Sequence, residues 1–236
     1  MNTKILKVNP EKIDLNKIKI AAKVIKQGNL VAFPTETVYG LGADVYNKEA
    51  VTKIFKVKGR PFNDPLIVHI ARVEELYKLS KYVPPVALQL AKIFWPGPLT
   101  LVLKKSELIL DIITAGLDTV AIRMPANNIA LSLIREAQTP IVAPSANIFG
   151  RTSPTNAQHV EDDLGGKIEM IIDGGKTKVG VESTVLDITV EPIRVLRAGG
   201  ISVEQLTKVI RKVKISKKLE RGFRCLLYTS PSPRDS

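Results

Sequence analysis

Cysteine and histidine are nearly absent from this sequence. The 236 residues include one cysteine, Cys225, and two histidines, His69 and His159. A single cysteine cannot form an intramolecular disulfide, and so few thiol and imidazole groups cannot complete a zinc site. The composition therefore excludes a disulfide-stabilised scaffold and predicts that no cluster of protein side chains holds a metal.

Long hydrophobic runs are missing as well. No stretch reaches the roughly 18 apolar residues that a transmembrane helix needs, and residues 1–8 lack the apolar core of a secretory signal. Hydrophobic residues nevertheless make up 44% of the chain, which is enough to bury a core in one large domain or two small ones. We expect a globular protein of the cytoplasm with no membrane segment.

Positive charge is abundant and unevenly distributed. The formal net charge is +12, and residues 203–224 carry +6 of it. A basic helix and tail of this kind suits RNA or anionic lipid. Aromatic residues that could stack on bases make up only 5% of the chain. A solvated helix face followed by a linker is therefore favoured for this segment, and RNA affinity stays an open alternative.

Apolar periodicity predicts an α/β fold. Helices are expected at residues 14–26, 48–58, 73–80, 85–94 and 203–214. Strands are expected at residues 5–8, 30–33, 66–70, 99–105, 119–125, 141–146, 170–175, 183–189 and 193–199. Several strands follow one another without room for a crossover helix, which favours a mixed sheet over a purely parallel one.

Several apolar strands end in threonine, serine, arginine or glycine. In "FPTETVYGLGADV" (33–45), Pro34 is expected to end the strand, so that the polar stretch after it leaves the sheet. Thr35, Glu36 and Thr37 would then face a ligand cleft, since strand ends line the ligand crevice of open α/β sheets. Glycines in this stretch would let the backbone approach closely. The alternative is that these residues only cap and turn the chain.

Two glycine-containing stretches resemble phosphate-binding motifs but do not match them. "GLGADV" has Val45 where a dinucleotide fingerprint needs its third glycine, and "GGKT" has Met170 where a P-loop needs its first. A bound nucleotide must therefore be held by side chains. Lys58 and Arg60 in "KVKGRP" suit a polyphosphate, because arginine offers a planar fork and lysine a mobile charge. Taken alone, most such pairs are surface charges.

Seven motifs in a fixed order resemble the YrdC/Sua5 family, the threonylcarbamoyl-AMP synthases, in an archaeal Sua5-type form. They are "FPTETVYGLG", "KxR" with "NDPLIVHI", "WPGPLTLVL", "TVAIRMP", "PIVAPSAN", "DGG" with "GVESTV", and "LRAGGI", within about residues 1–215. The resemblance implies a YrdC-like twisted mixed sheet flanked by helices, with an open central cleft.

The resemblance also implies a reaction. The family joins L-threonine, bicarbonate and ATP into threonylcarbamoyl-AMP and pyrophosphate, with Mg²⁺ expected on the ATP phosphates. A separate transferase then moves the threonylcarbamoyl group to adenosine-37 of tRNA. Three anionic partners must meet in such a site, and cationic side chains would relieve their repulsion. The sequence indicates no nucleophile and no general base.

Site residues follow from the same motif matches. Lys58 and Arg60 are implied to be catalytic through their contacts with the phosphates. The implied ATP-binding residues are Lys58, Arg60, Thr119, Ser145, Asn147, Ser153 and Arg197. The implied threonine-binding residues are Thr35, His69, Arg123, Ala143 and Ser183. Two alternatives remain open at this point: His69 as a core histidine, and Arg123 as the partner of a structural carboxylate.

The last residues depart from the family pattern. We expect residues 1–214 to form the catalytic domain and residues 215–224 to begin a basic linker. "CLLYTSPSPRDS" (225–236) looks like a translated sequencing adapter. On that interpretation the second domain of a Sua5 protein is missing.

Two other functions are considered beside the enzyme. One is a non-catalytic module of the same fold that binds double-stranded RNA or tRNA, suggested by the sequence pI of about 9.7. The other is a carbamoyl-transfer domain like that of hydrogenase maturation factors. Those proteins also carry zinc-finger and acylphosphatase regions, which this sequence does not contain.

Overall fold

The computed structural model describes residues 2–210 and 213–216. Within them, eleven strands form one sheet: β1 (Lys4–Lys7), β2 (Val31–Pro34), β3 (Tyr39–Asp44), β4 (Ile67–His69), β5 (Leu99–Lys104), β6 (Thr119–Arg123), β7 (Ile141–Val142), β8 (Met170–Asp173), β9 (Thr184–Asp187), β10 (Ile193–Arg197) and β11 (Val213–Ile215). The α-helices are α1 (Leu15–Lys26), α2 (Lys48–Lys58), α3 (Leu76–Leu79), α4 (Pro85–Phe94), α5 (Asp111–Thr114), α6 (Asn128–Ala137), α7 (Ala157–Leu164) and α8 (Val203–Thr207).

The sheet is mixed, as predicted. Its strand order is β1-β8-β2-β3-β7-β4-β6-β5-β9-β10-β11. It contains parallel pairs, such as β4 and β6, and antiparallel pairs, such as β2 and β3. The four-residue connection between β2 and β3 is too short for a crossover, so these two strands must run antiparallel.

Hydrophobic clusters cover both faces of the sheet. Val31 and Phe33 of β2 belong to the cluster that packs under α1 and α6, whereas Ala32 belongs to the larger cluster on the other face. This division follows from the alternation of side chains along a strand. Because both faces are covered, the central strands are apolar at most positions instead of alternating regularly with polar residues.

Helix ends agree closely with the sequence signals. Asp14 caps α1 by accepting hydrogen bonds from two backbone amides, and the predicted apolar face of α1 is buried. Helix α2 runs over its predicted range and ends at Gly59, whose φ of 62° is left-handed. Lys58 is thereby placed on the last turn of α2, with Arg60 just beyond it.

As predicted, the strand ends at Pro34 and the polar stretch after it leaves the sheet. Only residues 35–38 form a loop, and β3 then returns antiparallel to β2, with Tyr39 opposite Pro34. Gly42 permits this hairpin, because a Cβ there would lie 2.7 Å from the Phe33 ring and 2.8 Å from a methyl carbon of Ile141. The sequence predicted that glycines in this stretch allow close approach. Gly42 does so inside the sheet, as a residue of β3.

The helix predicted at 203–214 is also wrong in its extent. Helix α8 ends at Thr207, and Val213–Ile215 forms β11, which pairs in parallel with β10. Six of the eight basic residues at 203–224, together with the linker from residue 217 and the tail 225–236, lie outside the described residues. Among the described residues, every helix is too short or too polar to cross a membrane.

Candidate active site

Two adjoining pockets open at the ends of the central strands. The first pocket has about 520 Å³ of empty volume, and its lining includes Thr35, His69, Arg123, Ala143 and Ser183. The second has about 590 Å³, and its lining includes Lys58, Asn147, Phe149 and Ser153. Four residues line both pockets: Arg60, Ser145, Glu182 and Arg197. The two spaces therefore meet at a junction that carries two arginines and one carboxylate.

The structure separates the predicted site residues into the same two groups as the sequence did. All five residues predicted to bind threonine line the first pocket, and six of the seven predicted to bind ATP line the second. Thr119 lines neither pocket: it begins β6, opposite Lys104 of β5. The binding roles themselves remain predictions.

A threonine-rich turn forms one wall of the first pocket. The Thr35 hydroxyl donates to the carbonyl oxygen of Val38 at 2.7 Å and shares a hydrogen bond of 2.8 Å with the Thr37 hydroxyl. It also accepts hydrogen bonds from the backbone amides of Thr37 and Val38. Such a network is typical of a Ser/Thr turn, and it holds this loop rigid at the end of β2.

Arg123 is buried at the end of β6, beside that turn. Its Nη1 donates to the Thr37 hydroxyl at 3.0 Å, and its Nη2 lies 2.6 Å from Oε1 of Glu36. Its Nε donates to the carbonyl oxygen of Gly97 at 3.2 Å. Burial lowers the pKa of Arg123, while the Glu36 carboxylate opposes that shift. Arg123 thus has a structural partner and also lines the first pocket, so the two interpretations of this residue are compatible.

His69 lies between two strands at the floor of the first pocket. It is opposite Arg123 in β6 and Ile141 in β7, and its ring meets Phe33 edge-on at 6.3 Å between centroids. Burial, together with the nearby Arg123 charge, lowers its pKa to about 3, so the imidazole is neutral at physiological pH. Its Nδ1 has no hydrogen-bond partner among the described residues. A ligand in the first pocket can satisfy that atom.

Small residues keep the first pocket open. A Cβ at Gly40 would lie 3.2 Å from the Cβ of Ala143, and both residues line the pocket. Larger side chains at either position would fill the space beside His69.

Lys58 is a buried lysine on the lining of the second pocket. Its Nζ donates to the carbonyl oxygens of Ser145 and Asn147 at 2.5 Å each. Burial and the charge of Arg60 lower its pKa to about 7, against the opposing influence of Glu182 and other acidic groups. Lys58 thereby joins the end of α2 to the segment that follows β7, and so fixes two walls of the second pocket.

Arg60 is held in a fixed plane at the pocket mouth. Its Nη2 lies 2.9 Å from a carboxylate oxygen of Asp64 and donates to the carbonyl oxygen of Pro65 at 3.0 Å. Its guanidinium carbon is 5.9 Å from the centroid of the Phe149 ring, within cation–π range. This anchoring leaves Arg60 on the lining of both pockets.

Arg197 connects the two pockets through Ser183. Its Nε donates to the Ser183 carbonyl oxygen and its Nη2 to the Ser183 hydroxyl, each at 3.0 Å. Its Nη1 pairs with Glu182, and Glu182 also accepts a hydrogen bond from the Ser153 hydroxyl at 3.2 Å. The Ser183 hydroxyl shares a further hydrogen bond of 2.7 Å with that of Thr100.

Sequence reasoning placed Glu36 at the cleft without its arginine partner, and it left Glu182 out of the site. Glu36 pairs with Arg123, and Glu182 pairs with Arg197. Both occur inside motifs that the sequence analysis singled out, "FPTETVYGLG" and "GVESTV". Each acidic residue stands next to a predicted ligand-binding residue, and this was the signal that the sequence offered. The arginine partners could not be predicted, because they are 87 and 15 positions away along the chain.

The Sua5/YciO/YrdC family model, described as "Telomere recombination", matches residues 23–199. The chain belongs to this family. The resemblance inferred from the seven motifs is therefore confirmed.

Two named relatives are similar to this chain over most of its length. The chain is 58% identical over 205 residues to the threonylcarbamoyl-AMP synthase of Pyrococcus abyssi, covering 87% of this chain and 60% of the relative. It is 52% identical over 200 residues to the threonylcarbamoyl-AMP synthase of Bacillus subtilis, covering 84% and 58%. The chain thus spans about three fifths of the length of these relatives.

A solved structure confirms the predicted fold class. The crystal structure of P. abyssi Sua5 complexed with L-threonine superimposes with a TM-score of 0.91 at 56% sequence identity. The match covers 92% of this chain and 64% of that one. The mixed sheet flanked by helices is therefore the Sua5 fold.

Proposed function

We propose that residues 1–214 form the catalytic domain of an L-threonylcarbamoyladenylate synthase, a nucleotidyltransferase. The reaction condenses L-threonine, bicarbonate and ATP into threonylcarbamoyl-AMP and pyrophosphate. Relatives named for this activity, at 52–58% identity, support the proposal. So does the binding of L-threonine by the P. abyssi protein of the same fold.

The observation that carries the proposal is the meeting of two chemically different pockets. The first contains a buried arginine and a neutral imidazole, which suits an amino acid. The second contains a buried lysine and shares two arginines with the first, which suits a polyphosphate. A condensation needs its reactants side by side, and a shared junction between the pockets supplies that proximity.

The side chains suggest how each step is assisted. Bicarbonate and the threonine amine form a carbamate with loss of water. A carbamate oxygen then attacks the α-phosphorus of ATP, and the bond to the bridging oxygen breaks as pyrophosphate leaves. Lys58, Arg60 and Arg197 stabilise the negative charge that develops on the phosphates. On the threonine side, Arg123 holds the turn that contains Thr35, and Ser183 orients the substrate.

Mg²⁺ accompanies ATP in this proposal and neutralises phosphate charge. Among residues 2–210 and 213–216, no group of three or more histidine, cysteine, aspartate or glutamate side chains is arranged to hold a metal ion. Asp64 and Glu182 line the second pocket, but each is paired with an arginine. Phosphate oxygens and water would therefore supply most ligands, as Mg²⁺ often prefers.

The proposed product sets the rest of the pathway. A separate threonylcarbamoyl transferase would consume it to modify adenosine-37 of tRNA, and the proposal includes a cytoplasmic location. Threonine differs from serine by one methyl group, worth about 1–3 kcal/mol in a pocket. Some turnover of serine is therefore expected.

Pyrophosphate release tests the proposal directly. The purified chain is incubated with ATP, Mg²⁺ and bicarbonate, with and without threonine, and the product is identified by mass spectrometry. Release that requires threonine supports the function. Release that ignores threonine contradicts it. No release, with RNA binding that falls steeply with salt, would favour the non-catalytic RNA-binding module.

A further inference from the structure

Glu182 lies at the junction of the two pockets and is held there by two polar contacts. One carboxylate oxygen pairs with Nη1 of Arg197, and the other accepts a hydrogen bond of 3.2 Å from the Ser153 hydroxyl. The side chain is 37% exposed, so it can rotate away without disturbing the core. Neither contact requires Glu182 for folding in the way that a buried pair would.

Glu182 is the acidic residue among the four that line both pockets. Nearby carboxylates are committed elsewhere: Asp64 to Arg60, and Glu36 to Arg123. The charge of Glu182 therefore acts on the cations of both pockets. Its negative charge raises the pKa values of Lys58 and Arg60, against their burial.

A polyphosphate in the second pocket would need the same cations. It would place several negative charges beside the Glu182 carboxylate and compete with it for Arg197. Arg197 can change partners without moving, because its Nε and Nη2 remain bonded to Ser183 when Nη1 is released. Arg197 is thus anchored through Nε and Nη2, while Nη1 is able to exchange Glu182 for a phosphate oxygen.

From these contacts we propose that Glu182 is an internal counter-anion that pairs with Arg197 and Ser153 when no nucleotide is bound and is displaced from Arg197 by the phosphates of the nucleotide. The inference rests on the proposed function. Glu182 keeps Arg197 aligned before binding, and its charge limits affinity for pyrophosphate. Weaker retention of pyrophosphate favours release of the leaving group after the reaction.

Titration calorimetry with inorganic pyrophosphate, without Mg²⁺, tests this role. In Glu182→Gln the shape remains and one oxygen can still accept a hydrogen bond, but the charge is lost, and we expect pyrophosphate to bind roughly three- to tenfold more tightly. Glu182→Asp keeps the charge and should bind as the natural chain does. Asp118→Asn is the matched control, because it removes a carboxylate paired with Lys104 outside both pockets. It should leave the affinity unchanged.

Salt gives a second readout. The difference between Glu182→Gln and the natural chain should shrink at about 1 M salt, where screening extends to about 3 Å. A merely structural role would not respond in this way. Thermal unfolding of each variant checks that it is folded.

The outcomes separate failure of the counter-anion role from failure of the proposed function. Equal or weaker pyrophosphate binding by Glu182→Gln overturns the counter-anion role, and so does equal tightening by Glu182→Asp. If the natural chain and the variants bind neither pyrophosphate nor ATP, the second pocket is not a nucleotide site and the proposed function fails first.

Discussion

Nη2 of Arg123 lies 2.6 Å from Oε1 of Glu36, and both side chains are buried. The pair joins the end of β6 to the turn after β2, which are 87 positions apart along the chain. Arg123 also donates to Thr37 in the same turn. The turn that forms a wall of the first pocket is therefore fixed by Arg123, for which the sequence left both a ligand-binding role and a structural carboxylate partner open.

Removal of Glu36 tests this structural role. Glu36→Ala leaves the Arg123 charge buried without its partner, and we expect a loss of about 3–5 kcal/mol in the free energy of unfolding. Glu36→Gln should lose less, since the amide oxygen keeps a partial negative charge beside the Arg123 guanidinium. Urea unfolding measures both. A loss no greater than that of the exposed-pair variant Asp118→Asn would show that the pair does not stabilise the fold.

Lys58 and Ser183 should affect different ligands. Lys58→Ala removes the buried cation of the second pocket and should weaken ATP binding by roughly tenfold or more, with a smaller effect on threonine. Ser183→Ala should weaken threonine more than ATP, because Ser183 lines only the first pocket. Titration calorimetry with ATP and with threonine measures both affinities for each variant. Equal losses on both ligands would contradict the division into two pockets.

His69 predicts how stability depends on pH. Its folded-state pKa is lowered to about 3, whereas the pKa of an unfolded histidine is about 6.5. Between these values unfolding takes up a proton, so the stability contribution falls as pH decreases from about 6.5 towards 3, by at most about 1.4 kcal/mol per pH unit.

The matched variant isolates that contribution. His69→Asn cannot titrate in this range, so its free energy of unfolding should fall less steeply with acid than that of the natural chain. Urea unfolding at a series of pH values gives both slopes. Parallel slopes would mean that the imidazole is protonated in the folded protein as well.

Two glycines of β3 should respond differently to the same substitution. Gly42→Ala would place a Cβ within 2.8 Å of Phe33 and Ile141, and we expect a loss of about 1–3 kcal/mol from overpacking. At Gly40 the nearest atom is 3.2 Å away, so Gly40→Ala should destabilise less but weaken threonine binding. Unfolding and calorimetry are measured on both. Similar stability losses would refute the packing argument.

Local signals in the sequence were sufficient for several elements. Helices α2 and α4 run over their predicted residues, since apolar spacing, a capping asparagine at Asn47 and a proline at Pro85 act within one or two turns. The family resemblance could also be recognised from the sequence alone, because each motif is a short run of residues that does not depend on the fold. Their separation into two groups agrees with the two pockets.

Tertiary structure decided the rest. Residues 213–215 form a strand because β10 offers a free edge, although the sequence around them favours a helix. Lys58 contacts Asn147 across 89 positions, and Arg123 contacts Glu36 across 87. The sequence by itself determined which chemical groups are present and in what order. Only folding determined which charges meet, because a pairing between distant residues depends on the packing of the whole sheet.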